Sequence, residues 1–209
     1  AEVLGECERA KLREQLGFEG DSFVLLGSST WPGEEEMLLR AAAKLRAGGI
    51  DCRLLLVPRH AERRAQIIDL IKNLPHCVRS VSPRAPMVTL AYLADTTGEL
   101  RTLTQVADLA FIGKSLPPND GGQTPIDCAA LGVPMVYGPN MTNFRRICAT
   151  LEESAAAVKV PDADGAVAEI ARLAKNPDLR ATLADAARRW HSSNIGAAKR
   201  DFDAVCKFL

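Results

Sequence analysis

Short apolar runs alternate with longer amphipathic stretches along the 209 residues, and that alternation sets the first expectation about the fold. Residues 23–26, 52–57, 77–81, 88–93, 108–112, 134–137 and 155–160 are compact apolar runs bounded by turn-forming residues, the pattern of strands buried on both faces. Helical spacing appears between them. Residues 2–16 place Val3, Leu4, Cys7, Ala10 and Leu16 among charges, and the stretch from residue 34 places Met37, Leu38, Ala41, Ala42 and Leu45 on one face. Ile67, Ile68, Ile71 and Leu74 mark a third helix, and Leu100, Leu103 and Val106 a fourth. From Asp162 onward the pattern is helical, with Val167, Ile170, Leu173 and Ala174 on one face. A break follows at Asn176-Pro177, then helices over 183–190 and 195–208, in which Trp190, His191 and Phe202 read as packing residues. The alternation predicts an α/β fold: a Rossmann-like doubly wound parallel sheet with carboxyl-terminal helices. Residues 1–209 form a single domain in this reading, with 1–17 and 162–209 as flanking helices.

In such a sheet ligands sit at the carboxyl ends of the strands. Five loops at that edge, 27–33, 58–60, 95–99, 113–127 and 138–143, carry Gly, Ser, Thr or basic residues. The stretch from Gly121 to Asp127 draws them together. Gly121 and Gly122 permit a tight turn and close backbone approach, and a helix opening after them would direct unpaired N–H groups and its positive end at an anion. Asp127, one turn into that helix, can accept hydrogen bonds from ligand hydroxyls. A phosphate beside a diol suggests a nucleotide. Ser29 and Thr30 can donate to a phosphate or carboxylate or cap the following helix, whose glutamates Glu34, Glu35 and Glu36 suit its dipole. Arg59 and His60 lie immediately past a strand, whereas Arg63 and Arg64 read as a solvated helix face. Thr96 or Thr97 would cap the helix that follows, with Glu99 in its first turn. The first loop is not G-x-G-x-x-G, so the dinucleotide fingerprint is missing.

Composition narrows the class. The chain is 47% hydrophobic and 25% charged, ordinary for a globular protein. Lys+Arg and Asp+Glu both number 26, so no global field favours nucleic acid or an anionic membrane. Six scattered cysteines with no C-x-x-C pair suggest reduced thiols of a cytoplasmic protein and no structural metal. No apolar run is long enough for a helical membrane span. The chain starts at Ala1 and runs into a helical pattern, which reads as a domain excised from a longer protein.

Five collinear motifs then carry a resemblance: Ser29-Thr30-x-Pro32-Gly33-Glu34-Glu35, Val57-Pro58-Arg59-His60-x-Glu62-Arg63, Asp95-Thr96-x-Gly98-Glu99-Leu100, Phe111-Ile112-Gly113-x-Ser115-Leu116 and Gly138-Pro139-x-x-x-Asn143-Phe144. Together they resemble the carboxyl-terminal domain of the bacterial 3-deoxy-D-manno-octulosonic acid (Kdo) transferases. The resemblance implies one half of a GT-B glycosyltransferase, the half that holds the donor CMP-Kdo. Transfer would go to a lipid A precursor at the cytoplasmic face of the inner membrane, in lipopolysaccharide biosynthesis. It further implies that the general base and acceptor groove belong to an amino-terminal domain outside this chain, which alone would be inactive. It implies no catalytic metal, no cofactor besides the donor, no nucleic-acid partner, and membrane contact only in the full-length protein. The substrate-binding residues it implies here are Ser29, Thr30, Arg59, His60, Thr97, Gly98, Glu99, Ser115, Gly121, Gly122, Gln123, Thr124, Asp127 and Asn143. Gln123, Thr124 and Asp127 stand where the family pattern has His, Asn and Glu, and Lys114 stands where it has Gly. A domain of the same fold using another nucleotide sugar, or a non-catalytic binding module, are the alternatives.

Overall fold

The computed structural model of the protein describes residues 3–18 and 20–195. Seven strands form one sheet: Phe23–Thr30 (β1), Cys52–Pro58 (β2), His76–Val78 (β3), Ala91–Leu93 (β4), Leu109–Ile112 (β5), Met135–Tyr137 (β6) and Val158–Lys159 (β7). Their order is β3-β4-β2-β1-β5-β6-β7, and every neighbouring pair runs parallel.

Side chains alternate between the faces of a strand, so an unbroken apolar run buries two faces at once. Val24 and Leu26 of β1 join Leu55 and Val57 of β2 and Ala110 and Ile112 of β5 in one core. Phe23 and Leu25 join Leu54, Leu56, Leu109 and Phe111 in the other. Helices Glu34–Ala47 (α2), Arg64–Ile71 (α3) and Ala163–Ala174 (α7) cover the second core through residues such as Leu38, Ile67 and Ile170. Leu100–Thr104 (α4), Ile126–Leu131 (α5), Arg145–Glu153 (α6) and Pro177–Asn194 (α8) cover the first through Leu103, Ala129, Leu151 and Trp190. The doubly wound architecture follows directly. Trp190 packs as expected, its indole N–H donating to the Thr150 hydroxyl at 3.0 Å.

The first helix, Glu6–Gln15 (α1), is tied to the sheet by charge. Asp108, just before β5, accepts from the Val24 amide at 2.8 Å and pairs with the guanidiniums of Arg9 and Arg13. A cavity of about 560 Å³ opens beside these groups at the amino-terminal edge of the sheet, opposite the loops of interest. Several expected boundaries shift. β1 runs on through Ser28 to Thr30, and β3 and β4 are only three residues each. The run at 155–160 contracts to β7. The expected helix over 195–208, with Phe202, lies outside the described residues apart from Ile195.

Candidate functional site

From β1 the chain winds outward through β2 to β3 and β4, then returns on the other side of β1 as β5, β6 and β7. The loops leaving β1 and β5 therefore diverge, and the crevice between them is where a doubly wound sheet binds ligands.

Glu34 builds both walls of that crevice. Its carboxylate is almost fully buried, and it accepts from the amides of Trp31 at 2.9 Å and of Lys114, Ser115 and Leu116 at 2.9, 2.9 and 3.3 Å. Burial pushes the Glu34 carboxyl above the usual carboxylate range, against the pull of those four N–H groups. The walls also touch directly. Gly113 donates its amide to Ser28 O at 2.8 Å, and a Cβ on it would come within 2.3 Å of Ser29 O. Ser29 itself holds a left-handed φ of 53° at the irregular end of β1.

A second buried carboxylate lies one residue on. Glu35 is fully buried and accepts from the Thr30 hydroxyl at 2.7 Å and from Arg63 through two guanidinium nitrogens at 2.8 and 3.0 Å. This corrects three expectations. Thr30 spends its hydroxyl internally and offers none to a ligand, and Arg63 is a core ion-pair partner rather than a solvated face. Glu34 and Glu35 are tertiary ligands of backbone and guanidinium, while α2 is capped by left-handed Gly33 with no side-chain cap from Ser29 or Thr30.

The Gly-Gly turn also differs in its chemistry. The Gly122 and Gln123 amides donate to Lys114 O and Gly113 O, both at 3.0 Å, and the Asn143 amide donates to Gly121 O at 3.0 Å. Those two N–H groups, expected to cradle an anion, instead lock the turn onto the β5 loop. Gly121 adopts a φ of 111°, and a Cβ there would lie 2.7 Å from Asn143 Nδ2, so glycine is required. Ser115 is likewise an internal strut, not a ligand hydroxyl: it is fully buried, donates to Ile112 O at 2.6 Å and accepts from the Gly138 amide at 2.9 Å. Thr124 accepts from the Ile126 amide at 3.3 Å, and Asp127 is held by the guanidinium of Arg101 on α4. Cys128, next to it, is buried, which pushes its thiol up to about 12.

Contacts through Gly113, Trp31 and Lys114 link Ser29, His60, Gly121 and Asn143 into one cluster at the switch point, with Arg59, Gly122 and Gln123 beside them in the chain. The Arg59 amide donates to Thr30 O at 3.1 Å, while its side chain is exposed and makes no hydrogen bond or ion pair among the described residues. The His60 ring meets Trp31 edge-on at 5.1 Å, with Nδ1 at 3.2 Å from Glu62. The ammonium of Lys114 lies 4.6 Å from the Trp31 ring centroid on the β5 side. Trp31, Arg101 and Glu34 are contributors that sequence reasoning did not place in the site. Their signal, an aromatic between two rim loops and acids at a helix start, gains meaning only from tertiary placement.

Thr97 and Gly98 are exposed on the β4 loop, which leads into Arg101, the partner of Asp127, and Glu99 pairs with Arg79. Thr96 donates to Glu99 instead of capping α4, whose N-cap is Glu99 itself. The Arg79 guanidinium holds the Glu99 carboxyl below the usual carboxylate range. A depressed folded-state value stabilises above the unfolded value and is lost as pH falls through the folded one. The stability difference between wild type and Glu99→Gln is therefore expected to be full at pH 7, to begin to shrink near pH 4.5, the unperturbed carboxylate value, and to be lost as pH falls through the lower folded-state value. Urea titrations of both proteins from pH 7 to pH 3 measure this, and a difference that does not change with pH removes the assignment. Among the described residues, no group of three or more His, Cys, Asp or Glu side chains could hold a metal ion. No helix among them is long and apolar enough to cross a membrane.

No protein-family model matches the chain. Over 192 residues it is 31% identical to the 3-deoxy-D-manno-octulosonic acid transferase of Bordetella pertussis, a match covering 89% of this chain and 45% of that protein. The enzyme of the same name from Haemophilus influenzae is also 31% identical, with 90% of this chain and 45% of that protein covered. The chain therefore spans less than half the length of these relatives. The crystal structure of the C-terminal CMP-Kdo binding domain of WaaA from Acinetobacter baumannii matches with a TM-score of 0.80 at 28% identity, covering 88% of this chain and 96% of that one. The chain is a homologue of the carboxyl-terminal portion of the Kdo transferases, folded as one Rossmann-like half of a GT-B glycosyltransferase.

Proposed function

We propose that this domain binds CMP-Kdo and presents it for transfer to a lipid A precursor in lipopolysaccharide biosynthesis. The observation that carries the reading is the crevice at the β1/β5 switch point, rimmed by Arg59, His60 and the locked Gly121 turn, in a chain that matches a CMP-Kdo binding domain along nearly its whole length. Cleavage of the sugar–phosphate bond builds negative charge on the departing CMP phosphate. Cations at the crevice rim stabilise that charge where it develops. Asp127, paired with Arg101, accepts from the ribose hydroxyls in this reading, and Ser29 and Asn143 contact the donor from the two walls. In this reading the general base and the acceptor groove belong to an amino-terminal half of the full-length protein, which works at the cytoplasmic face of the inner membrane. The donor is the one small molecule the reaction calls for.

Thermal unfolding with nucleotides tests the reading. A ligand that binds only the native state stabilises it by about 2.7 kcal/mol at 100 times Kd. CMP at that concentration is expected to raise the midpoint by about 5–10 °C, with UDP and GDP giving little. A larger shift with UDP would assign another nucleotide sugar. No shift with any of the three would make the domain a non-catalytic module.

A further inference from the structure

We propose that Lys114 is the residue that takes the donor phosphate at the Gly121 turn, held in readiness on the face of Trp31. The inference rests on the nucleotide-sugar reading above and goes beyond it in naming the cation.

Lys114 is the second residue past β5, at the switch point itself. Its backbone is fixed on both sides: the amide donates to Glu34 at 2.9 Å and the carbonyl accepts from Gly122 at 3.0 Å. Its φ of 59° lies in the left-handed region, which L side chains rarely adopt. A flexible side chain thus rises from a rigid base into the crevice. The ammonium lies 4.6 Å from the Trp31 ring centroid and beside the glycine turn, where a Cβ on Gly121 would come within 3.3 Å of Nζ. It pairs with no carboxylate among the described residues. The acids around it are engaged elsewhere: Glu34 with four amides, Glu35 with Arg63 and Thr30, Asp120 with the Thr142 hydroxyl, Glu62 with His60.

Two consequences follow. The Gly122 and Gln123 amides are consumed by the β5 loop, so the turn cannot hold a phosphate on them and the charge has to come from a side chain. A cation–π contact at a partly exposed ring is weaker than a charge-assisted hydrogen bond to phosphate. An arriving phosphate therefore draws the ammonium off Trp31, and the ring reports the exchange. The second tryptophan, Trp190, is buried in the α8 core.

Isothermal titration with CMP, UMP, GMP and cytidine, against wild type, Lys114→Gly and Lys114→Arg, tests the proposal. Glycine fits the left-handed φ, so Lys114→Gly keeps the fold, which circular dichroism checks. Lys114→Gly is expected to weaken the preferred nucleoside monophosphate by roughly tenfold, leave cytidine unchanged, and abolish the ligand-induced change in Trp31 fluorescence. Lys114→Arg is expected to retain most of the affinity. Unchanged monophosphate affinity in Lys114→Gly overturns the assignment while leaving the nucleotide-sugar reading intact. Lys114-dependent binding of UMP or GMP in place of CMP supports it and shifts the donor. If wild type binds none of the monophosphates, both fall.

Discussion

Glu34→Ala is expected to lower stability by about 3–5 kcal/mol and to loosen the crevice more than the sheet. The carboxylate takes four backbone N–H groups from two loops, one from Trp31 and three from residues 114–116. Each buried donor left unpaired costs about 1–3 kcal/mol, and entry of water into the gap relieves part of the sum. Glu34→Gln separates shape from charge. It fills the same space, but its NH₂ group turns two donors toward amides that are themselves donors, so it is expected to lose most of what Glu34→Ala loses. Urea unfolding gives the magnitude. Amide exchange at Lys114, Ser115 and Leu116 locates it, with protection at those amides lost while β1 and β2 stay protected. Glu34→Gln within about 1 kcal/mol of wild type would show that the loops hold each other without the carboxylate.

The same residue shows where sequence reading stops. Glu34, Glu35 and Glu36 stand at a helix start, where the dipole alone favours acids, and nothing local separates the two that turn inward from the exposed Glu36. The separation is made by partners distant in the chain: 114–116 for Glu34 and Arg63 for Glu35. The Gly-Gly turn was legible as a turn, since only glycine tolerates its backbone. Its hydrogen-bond partners were not, because Gly122 and Gln123 reach back to a loop whose path the spacing does not specify. The sheet was readable for the opposite reason. An uninterrupted apolar run such as 52–57 fits a parallel strand with both faces covered, and the two cores divide its residues by simple alternation. Where apolar residues lie in loops the same logic overreaches. Val81 and Val88, which extended the expected strands, are 77% and 68% exposed, so β3 stops at Val78 and β4 begins at Ala91.

Arg63→Ala is expected to cost about 3–5 kcal/mol, because it strands a carboxylate with no access to water. Glu35 is 0% exposed and Arg63 meets both its oxygens, leaving the Thr30 hydroxyl as the remaining donor to that carboxylate once the guanidinium is gone. Removing both charges tests whether the penalty comes from the orphaned acid or from the pair itself. Arg63→Met with Glu35→Gln is expected to recover more than half of the loss, since an uncharged pair of similar volume needs no counter-ion. Arg63→Lys keeps the charge but not the two-pronged geometry, and is expected to fall between wild type and Arg63→Ala. The pair also carries function. It fastens the start of α2 to the turn that follows Arg59 and His60, and the Arg63 guanidinium reaches Thr30 O, the carbonyl that also accepts the Arg59 amide. Arg63→Ala, which leaves the Glu35 charge unpaired beneath the rim loop that presents Arg59, should therefore loosen that loop and weaken nucleotide binding by more than the double variant does. Denaturant unfolding of the four proteins gives the stability of each relative to wild type, and CMP titration of the same set reads the rim. If Arg63→Ala costs under about 1 kcal/mol, water reaches Glu35 and the buried-pair account of this loop is wrong.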